Sequence, residues 1–315
     1  MTETVAAGRR PAFAPRAHLA VLAAGVLFGS TFLPMQHAVD DAEPVPFLAA
    51  RFLFGALALW PLARREKPVP GDGRAGVVCG ASLALGYILQ TVGLQYTTTS
   101  VSAFLTYLLV VIVPLLSAAI LRRVPARLTM AGVVLATAGL FLLTGRGDVE
   151  GIGKGELLTV GCAIAFAVHI LLLDRFAHGH SLFRLSAAQL VVVGGGLFLP
   201  GLVLGGYGFT AGTWLAAAYT GVAVSAGALV LQFWGQRRVG PTRASLLLTV
   251  EPVTAAFVGY AIGERLGWTG AAGAALILGG IAVAEIGGLL TERSSAYHAP
   301  RDARRAGVGP DGPTD

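Results

Sequence analysis

The sequence is built from apolar runs of about 18–22 residues, the length a helix needs to cross ~30 Å of hydrocarbon at ~1.5 Å per residue. Only 13% of the 315 residues are charged, about half the share typical of a soluble domain. The runs predict an all-α polytopic membrane protein with ten spans, near residues 18–36, 45–63, 74–94, 100–121, 127–144, 154–173, 184–204, 212–234, 242–263 and 269–290. No soluble domain fits between them. Residues 1–17 and 293–315, rich in Arg, Pro, Gly and Asp, read as disordered tails.

"GRRPAFAP" resembles the basic start of a signal peptide, but no small-residue cleavage site follows "LAVLAAGVLFGSTF", so a retained first helix is expected. Cys79 and Cys162 each fall inside a span, which suits small apolar fillers better than a disulfide framework or a metal site.

Charge sets the expected orientation. Of the 23 Lys and Arg, 19 fall in the first tail, the even-numbered loops and the last tail, whereas only Arg146, Lys154 and Arg265 lie in the odd-numbered loops. The positive-inside rule then puts both termini in the cytoplasm. This asymmetry accounts for the net charge of +6 without a nucleic-acid partner.

The two halves repeat. "AARFLFGALALWPLARR" (49–65) resembles "AAQLVVVGGGLFLPGLV" (187–203), and "GYILQTVG" (86–93) lines up with "ALVLQFWG" (228–235), setting Gln90 opposite Gln232. Thr99, Ser102 and Thr106 recur as Thr242, Ser245 and Thr249, and "MAGVVLATAGLFLL" (130–143) resembles "AAGAALILGGIAVA" (271–284). The offsets all lie between 138 and 143 residues. A unit of five spans is odd, so the second copy enters the membrane from the opposite side. Loop basicity follows suit: the loop between spans four and five carries three Arg, but its counterpart between nine and ten carries one. The expected organisation is therefore two inverted five-helix repeats, 18–144 and 154–290, a common construction of secondary transporters.

"GVLFGSTFLPMQHAV", "FLAARFLFGAL", "GLQYTTTSVSAFLTYLLVVIVPLLSAAI" and "LLLTVEPVTAAFVGYAIGERLGWTGAAGAALILGGIAV" resemble the EamA-type transporters of the drug/metabolite transporter superfamily. The resemblance covers residues 18–290, and its most specific part is the L-x-x-x-E-P…G-E-R-L block at 247–266. The first repeat departs from the pattern, with Val110 where a proline comparable to Pro252 would fall, Pro114 four residues later, and "RRVP" in place of G-E-R-L. The resemblance implies a ten-helix inner-membrane carrier, often an exporter of amino acids, metabolites or drugs.

Glu251 sits near the centre of span nine, where a carboxylate costs on the order of 2.5–3.5 kcal/mol on insertion scales and should face the bundle interior. It could bind a proton or a cationic group. Alternatively it serves structure, pairing with Arg51, a hydroxyl or a backbone group freed by Pro252, which has no N–H. On an ideal helix it lies about 150° from the 242/245/249 hydroxyl stripe, so both line one cavity only if Pro252 rotates the upper half. The stripe and its partner in span four suit cavity lining and helix packing equally. Arg51 could snorkel to the outer headgroups, the slightly favoured reading, or anchor a substrate carboxylate. Glu285 is expected to snorkel at the end of span ten.

Gln90, Gln232, Tyr87, Tyr107, Thr106, Thr249 and Trp234 complete the candidate substrate or ion site, with Gln90 and Gln232 toward opposite faces, although each alone also suits packing with a satisfied hydrogen bond; His169 reads as a pore or packing residue. G-x-x-x-G pairs at Gly25/Gly29, Gly76/Gly80, Gly201/Gly205 and Gly259/Gly263 let helices approach closely. "GRGDVEGIGKGE" lacks P-loop spacing, and "AHGH" is too sparse for zinc. No cofactor is expected. The partners expected are the bilayer, a small-molecule substrate and protons as coupling ion, with the chain a monomer or homodimer. The competing class is a membrane enzyme or lipid-handling protein, which needs a cluster of ionisable residues at one depth.

Overall fold

The computed structural model describes residues 14–31, 34, 42–93, 95–97, 99–122, 125–144, 153–176, 179–261 and 267–305. Prolines open three helices at their first turn, where the missing N–H costs nothing: Pro15–Gly29 is the first span, Pro44–Arg65 the second, and Pro241–Leu248 starts the ninth. Asp72–Gly93 forms the third span, Arg127–Thr144 the fifth, Lys154–Phe176 the sixth and Leu182–Val203 the seventh. The eighth runs from Ala211 to Val239, with a π-helical stretch, Thr220–Ala228, in its middle. The protein is thus an all-helical membrane protein; among the described residues seven helices are long and apolar enough to cross a bilayer, and three shorter apolar ones stand at the first, fourth and fifth positions.

Two expected boundaries differ. The first helix ends at Gly29 rather than 36, and residues 32–33 and 35–41 lie outside the described residues. The last helix runs from Trp268 to Arg305, so residues 293–305, expected as disordered tail, continue it. A helix already nucleated by a span extends at little further cost, which is the physical reason.

The packing is symmetric under exchange of the halves. Spans three and six pack together, as do eight and one; three packs on seven and two on eight; four packs on six and nine on one. Spans two and seven, four and nine, and five and ten each pair with their own counterpart. The fifth and tenth spans meet backbone to backbone. A Cβ on Gly280 would lie 2.6 Å from the Gly132 carbonyl, and one on Gly132 would strike the Gly280 carbonyl in return. Gly139 and Gly273 form a second reciprocal pair, at 2.6 and 2.5 Å. These helices run antiparallel, since the number rises on one as it falls on the other. The offset of 141 residues turns Gly132 into Gly273 and Gly139 into Gly280, so each pair is the image of the other.

Four apolar clusters fill the described bundle, two of them large. Val21, Val110, Val113, Leu140, Leu246 and Ile277 centre one, and Phe52, Leu59, Leu190 and Val193 the other. Cys79 and Cys162 are buried free thiols.

Candidate functional site

Both spans four and nine are broken near their middles. In the ninth the helix turns at Thr249 and resumes as Val250–Ala261. Pro252 offers no N–H to the turn before it, and the chain tightens there: the Thr249 N–H and hydroxyl donate to the Leu246 carbonyl at 3.0 and 2.6 Å. The fourth runs Thr99–Tyr107, turns at Leu108 and continues as Leu109–Leu121. The two turns are 141 residues apart, within the offset range of the repeat. The fourth span breaks without a proline at the Val110 position and passes helically through Pro114. Interrupted helices at corresponding places of two halves mark the interior of many transporters.

The Tyr107 hydroxyl, at the end of the first segment of span four, donates a hydrogen bond to the Glu251 carboxylate, just past the break in span nine. Gly29 closes the other side: a Cβ there would lie 2.5 Å from the Glu251 carbonyl and 2.6 Å from Thr254 Cβ, so only glycine lets the first span end against this turn.

Arg51 is only 3% exposed and does not snorkel to the headgroups as expected. Its Nε donates to Ser225 Oγ at 2.8 Å, and its guanidinium lies 5.6 Å from the Phe52 ring and 5.8 Å from that of Tyr87. These partners hold the charge inside, where retreat to water is unnecessary. Ser225 lies in the π-helical stretch, a distortion frequent at functional sites. Phe52, Tyr87 and Phe166 stack edge to face at 4.9 and 5.3 Å, with the Phe166 ring seated against Gly86. Glu251 and Arg51 attract each other electrostatically, and Tyr87 feels both charges. Gln90 Nε2 donates to Thr106 Oγ1 at 3.4 Å, and Thr106 also bonds the Cys162 thiol. The arrangement offers one carboxyl group, one guanidinium cation, several hydroxyls and one side-chain amide around an aromatic wall.

Arg51, Tyr87, Tyr107 and Glu251 are thus brought together, with Gln90 and Thr106 beside them. Thr249 is 1% exposed and bonds its own helix, as does Ser245, whose hydroxyl donates to the Thr242 carbonyl at 2.9 Å. That geometry belongs to helix packing. Gln232 is buried in a separate polar group, donating at 3.5 Å to Gln236, which donates to the Ile170 carbonyl. His169 accepts or donates at 2.7 Å with Gln189 in the same region. Trp234 lies under the Arg238 guanidinium, 4.1 Å from its ring centre. Gly259 is buried within span nine, and Gly263 lies outside the described residues. Glu285 is held 2.9 Å from His18 Nε2 rather than extended to the surface. Ser225 and Phe166 went unread in the sequence: a serine among small residues and a phenylalanine in an apolar run carry no local signal.

A helical membrane bundle of two related halves around interrupted helices and buried charges defines a protein of the transporter class. The chain belongs to the EamA-like transporter family, whose family model matches it twice, over residues 15–145 and 153–285. An uncharacterized transporter of Archaeoglobus fulgidus is 29% identical over 267 residues, covering 84% of this chain and 94% of the relative. A second from the same organism is 30% identical over 161 residues, and there the match spans 51% of this chain and 50% of the relative. A protein known from its crystal structure shares the fold with a TM-score of 0.75 at 20% identity, over 85% of this chain and 98% of the other.

Proposed function

We propose that the protein is a secondary active transporter of the bacterial inner membrane that exports a small metabolite, amino acid or drug. Residues 18–144 and 154–290 are the two inverted halves, both termini are cytoplasmic, and alternating access arises as the halves exchange conformations. Glu251 carries the exchangeable proton or the cationic group of the substrate, and Arg51 receives an anionic group. Tyr107 and Tyr87 line the path between them.

The observation that carries this reading is the hydrogen bond from Tyr107 to Glu251, which joins the two halves at the broken centres of spans four and nine. A carboxylate held there by a neutral hydroxyl can release it for a proton or a cation without unfolding the helix.

The test compares metabolites released by cells overproducing the wild type with those from cells overproducing Glu251→Gln at matched membrane levels. A solute released only by the wild type is the expected outcome. Equal release from both would leave Glu251 a structural residue. If neither releases an excess, purified protein in liposomes decides between transport and membrane enzymology.

A further inference from the structure

Two loops and the end of span eight converge on one face of the bundle. Glu66, just after span two, turns inward and its carboxylate accepts the N–H groups of Leu182, Phe183 and Arg184 at 2.9, 2.8 and 3.1 Å. Asp72 accepts from Val69 and Ser181 at 3.0 and 3.1 Å, with Arg184 Nε 3.5 Å away. The Ser181 hydroxyl donates to the Lys67 carbonyl at 2.8 Å. Arg237, at the end of span eight, interacts electrostatically with Glu66. Both acidic groups of the 66–72 loop are therefore occupied by neighbouring backbone, and they anchor the ends of three spans.

What this loop leaves outward is positive. Arg64, Arg65, Lys67 and Arg74 are all exposed. Trp60, 50% exposed and one turn before Arg64, stacks against that guanidinium at 4.6 Å. An indole at the end of a span settles at headgroup level, so it holds the Arg64 charge in the same plane.

We propose that this face binds the phosphodiester headgroup of an anionic phospholipid of the phosphatidylglycerol type. The inward turn of Glu66 and Asp72 supplies the charge contrast, and Trp60 supplies the depth. Attraction between basic side chains and an anionic leaflet operates within about a Debye length of the surface, and the exposed quartet flanks the adjoining ends of spans two and three. A neutral zwitterionic headgroup gains little from four adjacent cations.

The test is native mass spectrometry of the full-length protein from micelles containing equal amounts of phosphatidylglycerol and phosphatidylcholine. The wild type should retain phosphatidylglycerol preferentially. Replacing Arg64, Arg65, Lys67 and Arg74 by Gln should lower that retention at least about fivefold. Arg122→Gln with Arg127→Gln, which removes two exposed charges from another loop, should leave it unchanged. Equal retention of the two lipids by the wild type overturns the proposal, as does unchanged retention by the quadruple variant or an equal loss in the control. Should the quadruple variant fail to fold, Arg64→Gln with Lys67→Gln takes its place, with retention about threefold lower expected and unchanged retention overturning the proposal.

Discussion

Tyr107 and Glu251, hydrogen-bonded to each other, stand on opposite halves of the chain, each within two residues of a break in its own span. The bond therefore reports the relation between the halves. Tyr107→Phe removes the donor and almost no volume, so it should cost about 0.5–3 kcal/mol in stability. Transport should fall further than that loss of folded protein explains. A cycle with Glu251→Gln should be non-additive, since the two changes remove one interaction. Additive effects on solute release would separate the residues.

Ser225 orients Arg51 through a buried hydrogen bond to a charged group. Ser225→Ala should lower stability by about 1.5–3 kcal/mol, and Ser225→Thr, which keeps the hydroxyl, should recover most of it. Thermal unfolding of the purified protein in detergent measures both. If the alanine and threonine variants melt alike, the hydroxyl does not hold the guanidinium.

The glycine seam makes a paired prediction. Gly139→Ala places a Cβ 2.6 Å from the Gly273 carbonyl, where backbone rather than a flexible side chain must yield. It should cost at least about 1–3 kcal/mol, as overpacking of a tight core does. Gly279→Ala, on the same pair of helices but with nothing within 4 Å, should be neutral or slightly stabilising through helix propensity. Yield and melting temperature of the two variants, side by side, check the contrast.

Glu66→Ala removes a carboxylate that satisfies three N–H groups at the start of span seven. A loss of about 1–2 kcal/mol is expected, with Glu66→Gln intermediate because it keeps an acceptor but not the charge favoured at a helix N-terminus. Limited proteolysis of the 66–71 loop should speed up in the alanine variant. An unchanged cleavage rate would mean that Asp72 and Ser181 suffice to hold the loop.

The helices were legible because each apolar run is long enough for one span and each ends in charge, proline or glycine. The duplicated order, read from Gln90 against Gln232 and Thr106 against Thr249, agrees with the two family matches at residues 15–145 and 153–285. It did not anticipate that Thr106 would reach Gln90 and Cys162 while Thr249 turned back to its own helix. Side-chain partners of a hydroxyl depend on which neighbour faces it, and apolar periodicity is silent on that. Arg51 was misjudged for a related reason: its distance from the helix end allowed snorkelling, and only tertiary contact with Ser225 and the Phe52–Tyr87 pair decided otherwise. Pro252 did signal the disruption in span nine, whereas the matching turn at Leu108 has no such mark.

The seam between spans five and ten has a mechanical consequence. Where two helices touch through carbonyls and glycine Cα atoms, there are no rotamers to rearrange, and a shift of one helix along the other meets peptide groups at both glycine pairs. Spans four and nine, by contrast, are already cut in two and face each other through movable side chains. The bundle thus holds a stiff keel along one pair of antiparallel rods and jointed members beside it, and the alternating access proposed above would draw its motion from the jointed pair.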